Sequence, residues 1–349
     1  MHLLVLPGDG IGPEIVAATV TVLRAAEARH RLGLRLGEAE IGFSALARHG
    51  STIPEAVIAA ARAADGVILG PVSHNAYPPV AEGGLNPSGV LRRELELFAN
   101  IRPARSRPGA PRPIAPPVDL VVVRENLEGF YADRNMAQGP GEFMPEPGIA
   151  LALRKITATG SRRIAEAAFA LAATRPARRV TTIHKANVLR LSDGLFLEQV
   201  RAVAARHPDI AHDEVLVDAA AALLVRDPGR FDVVLATNMF GDILSDLAAE
   251  LAGGLGLAAS LNLGTGVAVA QAQHGSAPDI AGQDRANPGS LIGSAAMLLA
   301  HLGRPDAALA IDTALDRALS DPATRTADLG GRLGTAAFAD HLATLIRES

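Results

Sequence analysis

The chain contains no cysteine. A disulfide framework and a thiolate metal site are both excluded. No uninterrupted apolar stretch is long enough to span a membrane, so no membrane partner is expected. The opening, MHLLVLPGDG, enters an apolar run at once, with no basic segment and no cleavage site. A cytoplasmic location is the expectation. An excess of positive charge is missing as well. The net charge of −4 and a pI near 6.2 speak against a nucleic-acid surface. Lysine and tyrosine are scarce. Of 33 basic residues two are lysines, Lys155 and Lys185, and the only tyrosines are Tyr77 and Tyr131. A composition biased toward Ala, Arg and Gly leaves few of either as surface filler, which marks these four for attention.

What the chain does have is apolar material in quantity. Hydrophobic residues make up 48% and charged ones 20%, enough for a packed core and too little charge for disorder. Its 349 residues allow two domains or one large one. Short apolar runs (LLVLP, GVILG, LVVVREN, DEVLVD, FDVVLATN) alternate with longer periodic segments such as EIVAATVTVLRAAEA and SRRIAEAAFALAAT. That alternation is the pattern of an α/β protein with a largely parallel sheet. Residues 104–117 are Pro/Gly-rich and read as a connection, whereas 133–148 (DRNMAQGPGEFMPEPG) are longer than an ordinary loop and suggest an excursion with its own purpose.

Five stretches carry side chains suited to chemistry. In FDVVLATNMFGDILSD the reading is a buried strand, a turn at Gly241 and a helix carrying Asp242 and Asp246 one turn apart on one face. On an exposed helix such a pair repels by roughly 0.2–0.5 kcal/mol. The helix N-terminus can compensate Asp242 but reaches Asp246 less well. The alternative reading is a hard divalent cation, Mg²⁺ or Mn²⁺, which needs clustered carboxylate oxygens; the spacing alone leaves both readings open. Glu250 continues the row and reads as a solvated helix position. In VLRRELELFANIRP, Arg92 and Arg102 flank a short helix, and Arg124 stands at the end of the strand LVVV, where α/β sites collect. In IHKANVLRLSDG, Lys185 follows a strand and is a candidate general base, while His184 beside it reads as an ordinary polar residue. HGSAPDIAGQDRANPGS is a loop of Gly, Pro and small polar residues fit for close approach to a ligand. PGDGIGPEI is a glycine-rich strand-to-helix turn without G-x-G-x-x-G spacing or a P-loop lysine, so it is a weak phosphate signal.

Taken in order, PGDGIGPE, ELELFANIRP, RENLEGFY, HKANVL, NMFGDILSD and HGSAPDIAGQDRANPGS span nearly the whole chain. This ordered set resembles the β-decarboxylating dehydrogenases, the isocitrate/isopropylmalate dehydrogenase family, which also includes homoisocitrate and tartrate/malate enzymes. The resemblance implies a two-domain α/β fold that is not a Rossmann fold. It implies a discontinuous cofactor-binding domain from residues 1–98 and 252–349, and a dimerisation and metal/substrate domain from 99–251. An arm at about 133–155 would help to form a homodimer with shared active sites.

The same resemblance assigns roles. Asp242 and Asp246 would hold Mg²⁺ or Mn²⁺ together with Asp218 of the partner subunit. Arg92, Arg102 and Arg124 would hold the carboxylates of a small 2-hydroxy acid. Lys185 would take the hydroxyl proton, and Tyr131 would protonate the enol left after CO₂ departs. NAD would be held by Asn187 and by His274, Gly275, Ser276, Ala277, Pro278, Asp279 and Asn287. Asp279 stands where a carboxylate can accept hydrogen bonds from both adenosine-ribose hydroxyls and repel a 2′-phosphate.

Two departures from the family pattern stand out. Ala219 follows Asp218 where several relatives have a polar residue. The segment LNPSGV before Arg92 fits neither the Leu-rich isopropylmalate pattern nor the isocitrate one. There Asn86 and Ser88 stand six and four residues before Arg92 and are expected to contact the substituent at C3 of the substrate. An isopropyl group against them would leave hydrogen bonds unmet, at roughly 1–3 kcal/mol each, so a polar or carboxylate-bearing substituent is favoured. The other arrangement has Asn86-Pro87 capping the helix and leaves Gly89 and Val90 to line the pocket. Other classes fit less well. An inactive nucleotide-binding or regulatory dimer subunit would be expected to have lost a metal carboxylate or the lysine, and a phosphoryl-transfer enzyme would need a lysine near PGDGIGPE.

Overall fold

The computed structural model describes residues 1–348 except 115, 132–135 and 137–138. The chain forms two compact units: Met1–Leu95 with Arg107–Arg112 and Gly253–Ser349, and Glu96–Ser106 with Pro113–Ala252. The first unit is thus built from both ends of the chain and a short inner segment.

The first unit begins with β1 (His2–Leu6), α1 (Gly12–His30), β2 (Arg35–Glu38), α2 (Phe43–His49), α3 (Glu55–Ala63), β3 (Gly66–Leu69) and α4 (Pro87–Glu94). The second contains β4 (Ala99–Arg105), β5 (Asp119–Glu125), β6 (Glu142–Glu146), β7 (Ile149–Ala152), α5 (Ala158–Thr174) and β8 (Arg179–His184). It continues through α6 (Ser192–Ala204), β9 (Ala211–Leu216), α7 (Val217–Arg226), β10 (Val233–Ala236) and α8 (Asn238–Ala252). The chain then returns to the first unit with β11 (Leu261–Leu263), β12 (Ala268–Gln271), α9 (Gly289–His301), α10 (Pro305–Ser320) and α11 (Thr335–Glu348).

In the first unit the strand order is β2-β1-β3-β12-β11, parallel except for the β11/β12 hairpin. Its core packs α1, α9, α10 and α11 together, with Leu23, Leu298, Ile311 and Phe338 fully buried. In the second unit the order is β4-β5-β10-β8-β9, parallel except for β4 against β5. The near-continuous Val/Leu runs of β5 and β10 suit strands buried on both faces. The largely parallel reading holds for both units. Each antiparallel pair joins strands consecutive in sequence with no helix between them, and a parallel pairing needs a crossover.

Two local readings change. Gly241 is not a turn: α8 already starts at Asn238, and Gly241 lies within its first turn. A Cβ there would stand 2.8 Å from Arg124 Cβ and Cγ, so glycine is required by close approach rather than by backbone freedom. As a result Asp242 lies just past the first helical turn, where the N-terminal dipole no longer favours it strongly. The second change is within 133–148. Residues 133–135, 137 and 138 lie outside the described ones, but β6 and β7 form a two-stranded antiparallel hairpin. Every residue of the hairpin is exposed, Phe143, Met144, Ile149 and Leu151 included.

Candidate active site

The parallel strands of the second unit set out the site. Following β5, β10, β8 and β9 across the sheet, their C-terminal ends carry Arg124, the start of α8, Lys185 and Asp218 in turn. That is the edge at which open α/β sheets bind ligands. Arg102 comes from β4, which runs the other way, and lies opposite Val122.

Arg124 and Arg102 are buried and converge on α8. Arg124 Nε donates to the Asn238 carbonyl at 3.0 Å and Nη2 to Asn238 Oδ1 at 2.8 Å, while Nη1 donates to Asp242 Oδ1. Arg102 Nη1 donates to Ser245 Oγ at 2.8 Å and reaches Asp242 Oδ1 at 3.1 Å and Asp246 Oδ1 at 3.3 Å. Its Nε donates to Asn100 Oδ1. Tyr131 Oη donates to Asp242 Oδ2 at 3.2 Å, with the Arg124 guanidinium 5.7 Å from its ring centre. Burial and the neighbouring Arg124 charge bring Arg102 down to about 10, so it remains a cation at neutral pH, and burial lowers Arg124 too. Two arginines thus offset the repulsion between two aspartates, and the five expected residues of this cluster do meet.

Lys185 and Asp218 form a second group. Lys185 Nζ lies 2.6 Å from Asp218 Oδ1, and this hydrogen bond lowers the Asp218 carboxyl. Asp218 is exposed, in the first turn of α7. β8 lies between β9 and β10, which puts about 10 Å of sheet between the two strands. Among the described residues no group of three or more His, Cys, Asp or Glu side chains is gathered to hold a metal. The donor chemistry nevertheless fits a hard cation. Asp242 and Asp246 present carboxylate oxygens on one helix face, partly open to solvent, and lack one further anionic donor. Glu250 is exposed, as a solvated position should be.

The expected residues of the first unit show other uses. Asn86 Oδ1 accepts from Gly89 N at 3.2 Å and caps α4. Ser88 Oγ, buried, donates to Gln271 Oε1 at 3.2 Å. Asn86 Oδ1 and the Ser88 hydroxyl would therefore not be left unmet beside an isopropyl group, since each has an internal partner. Arg92 is buried near the C-terminal end of α4. In the loop after β12, the Ser276 carbonyl accepts from Ile11 N at 2.8 Å and its hydroxyl pairs with Ser73 Oγ at 2.8 Å. Gly10, in the PGDG turn, has no space for a Cβ against the Ser276 carbonyl. The PGDGIGPE turn thus braces the loop 274–290. Asp9 accepts from Phe43 N at 2.8 Å, from Ser73 N at 3.0 Å and from Tyr77 Oη, which accounts for the second tyrosine. Burial, followed by Asp9, pushes the Tyr77 phenol strongly upward.

Ala277 takes a left-handed φ of 35°, and Gly275, Pro278 and Asp279 are exposed beside it. His274 pairs with the Gly275 carbonyl at 3.0 Å, and burial lowers its imidazole. Asn287 is buried, accepting from Gly289 N and donating to Asp328, both at 2.9 Å. Asn187 is exposed after β8, in the second unit. Sequence reasoning missed Asn238, Ser245, Arg154 and Asp193. The last lies inside the quoted HKANVLRLSDG stretch, but Arg154 is one arginine among many and carries no signal.

The mixed α/β sheets, with arginines, paired aspartates, a lysine and a tyrosine at strand ends, define a dehydrogenase fold of the isocitrate dehydrogenase type. A family model described as isocitrate/isopropylmalate dehydrogenase matches residues 2–342. The 3-isopropylmalate dehydrogenase of Methanothermobacter thermautotrophicus is 40% identical over 343 residues, 98% of either chain. The isocitrate/homoisocitrate dehydrogenase of Thermus thermophilus is 42% identical over 340 residues, 97% of this chain and 96% of that one. Among solved structures, the isocitrate dehydrogenase from Methylococcus capsulatus matches with a TM-score of 0.89 at 40% identity, covering 99% of both chains. The chain belongs to the isocitrate/isopropylmalate dehydrogenase family.

Proposed function

We propose that the protein catalyses the NAD- and divalent-metal-dependent oxidative decarboxylation of a 3-substituted malate, as a cytoplasmic homodimer with shared sites. The observation that carries this reading is the convergence of Arg102, Arg124 and Tyr131 on Asp242 and Asp246. Mg²⁺ or Mn²⁺ at Asp242, Asp246 and Asp218 of the partner subunit supplies Lewis acidity toward the 2-hydroxyl, and NAD supplies the hydride acceptor. Arg92, Arg102 and Arg124 fix the substrate carboxylates, drawing guanidinium hydrogen bonds away from the aspartates. Lys185, reaching the other protomer's site, takes the hydroxyl proton while the C2 hydride departs. The β-keto acid loses CO₂, and Tyr131, already within reach of the reacting region through Asp242, returns a proton to C3. Trans sharing is supported by the strands that separate Asp218 from Asp242, and the exposed apolar β6–β7 hairpin supplies a surface for the second copy.

For the C3 substituent, an isocitrate- or homoisocitrate-like carboxylate, or a tartrate- or malate-like small group, suits the polar pair Asn86 and Ser88. A second reading, 3-isopropylmalate, is favoured by one observation: Asn86 Oδ1 and the Ser88 hydroxyl already have partners inside the chain, so an isopropyl group beside them would leave fewer hydrogen bonds unmet. The test compares kcat/KM for isopropylmalate, isocitrate, homoisocitrate, tartrate and D-malate on one preparation with NAD and Mg²⁺. A clear win for isopropylmalate ends the polar-substituent reading. Turnover of none of them ends the proposal.

A further inference from the structure

Arg154 and Asp193 lie outside every role assigned so far, yet they form an enclosed ion pair in the second unit. Asp193 is fully buried and the Arg154 side chain is 8% exposed, with Nη2 at 2.7 Å from Asp193 Oδ1. That approach is out of alignment for a hydrogen bond, which leaves Oδ1 held by charge alone. Arg154 directs its hydrogen bonds elsewhere, to Ser192 Oγ at 2.6 Å and Thr237 Oγ1 at 3.2 Å. Its guanidinium also faces two rings, Phe130 at 5.9 Å and Phe240 at 5.6 Å from their centres. The other oxygen of Asp193 accepts the Lys185 backbone N–H at 2.6 Å.

Apart from the Ser192 hydrogen bond, each contact ends on a segment that bears a reacting group. Phe130 precedes Tyr131, Thr237 precedes and Phe240 lies in the first turn of the helix that carries Asp242, and Asp193 holds the backbone of Lys185. We propose that Arg154 and Asp193 are a positioning pair that sets the mutual placement of Tyr131, α8 and Lys185. A charge that faces two rings and a buried carboxylate is restrained in position, so a shift in any of the three segments is resisted by the others. The pair touches no substrate atom; it acts through the residues it holds. The inference rests on the function proposed above. Because Lys185 serves the other protomer's site and Tyr131 its own, a single buried pair tunes one group of each.

The scarcity of lysine provides a readout that does not depend on turnover. Reductive ¹³C-methylation labels two side chains, Lys155 and Lys185, and the Lys185 signal is the one lost in Lys185→Met. In Asp193→Ala and Arg154→Met, that signal should move at fixed pH, and kcat should fall by at least about tenfold, since displacement near the chemistry is costly. KM for NAD should stay unchanged. Arg154→Lys, which keeps a cation, should recover most of kcat. Folded variants with wild-type kcat and an unmoved Lys185 signal would overturn the proposal. If Asp193→Ala does not fold, Asp193→Asn takes its place: it keeps an oxygen for the Lys185 N–H but leaves Arg154 unbalanced, and wild-type behaviour there is equally fatal. Should the wild type turn over none of the malates, the functional reading falls while the methyl signal still decides the pair.

Discussion

Replacing Glu125 by Gln should stabilise the protein above neutral pH and leave it nearly unchanged in acid. Glu125 ends β5 and is 4% exposed. Its carboxylate accepts the Leu127 N–H at 3.0 and 3.1 Å and the Glu128 N–H at 2.7 Å. These bonds favour the charged form, but burial outweighs them and the Glu128 charge opposes them too. The carboxyl is pushed from its ordinary 4.5 to about 7. Between those values the folded chain keeps a proton that the unfolded chain has released. The associated stability is fully present below the unfolded value and is lost as pH rises through about 7. Its size follows from the displacement, about 3 kcal/mol. Glutamine has no charge to desolvate and keeps an oxygen for the Glu128 N–H. Urea unfolding at acid and at mildly alkaline pH, followed by far-UV circular dichroism since the chain has no tryptophan, measures both proteins. The variant's advantage should grow by about 3 kcal/mol from the acid to the alkaline condition. An advantage that is the same at both would refute the reasoning.

Three further outcomes follow from the site. Asp246→Asn should leave the fold intact, raise the Mg²⁺ or Mn²⁺ concentration needed and cut turnover by more than the roughly 10- to 100-fold that disturbed outer-shell partners cost; full wild-type activity in excess EDTA would remove the metal assignment. Mixed subunits of inactive Lys185→Met and inactive Tyr131→Phe should regain activity after exchange, and proven heterodimers without activity would count against shared sites. With Asp279 exposed beside the loop's left-handed Ala277, kcat/KM should favour NAD over NADP, and the reverse preference would refute that role.

Some of this was legible in the sequence, for physical reasons that differ by residue. Buried parallel strands demand apolar runs, so LVVV and FDVVLATN announce β5 and β10, and the groups that follow a strand end must sit at the sheet edge. Arg124, Asp242, Asp246 and Lys185 could therefore be placed before any contact was known. Asn86 and Ser88 were harder, because a polar side chain near a helix start serves equally well as a cap or as a ligand contact, and only geometry shows Asn86 turned to Gly89. Gly241 looked like a turn because the need for space against Arg124 arises from a strand far away in sequence. Arg154 was invisible for a plainer reason: its importance lies in what encloses it, and an arginine-rich chain gives no compositional sign of enclosure.

The division of the first unit between the two chain ends bears on how the polypeptide is born. β3 finishes early, but the strand that covers its free edge, β12, is translated only after the entire second unit. On the ribosome, the second unit has all its strands in hand once Ala252 has emerged, whereas β3 must wait with unpaired backbone groups on one side. Such an edge is a template for mispairing. Nascent chains stalled with Ala252 clear of the ribosome should accordingly resist protease in the second unit and be cut readily before Leu95, which makes the segment from Gly253 onward the one that closes the fold.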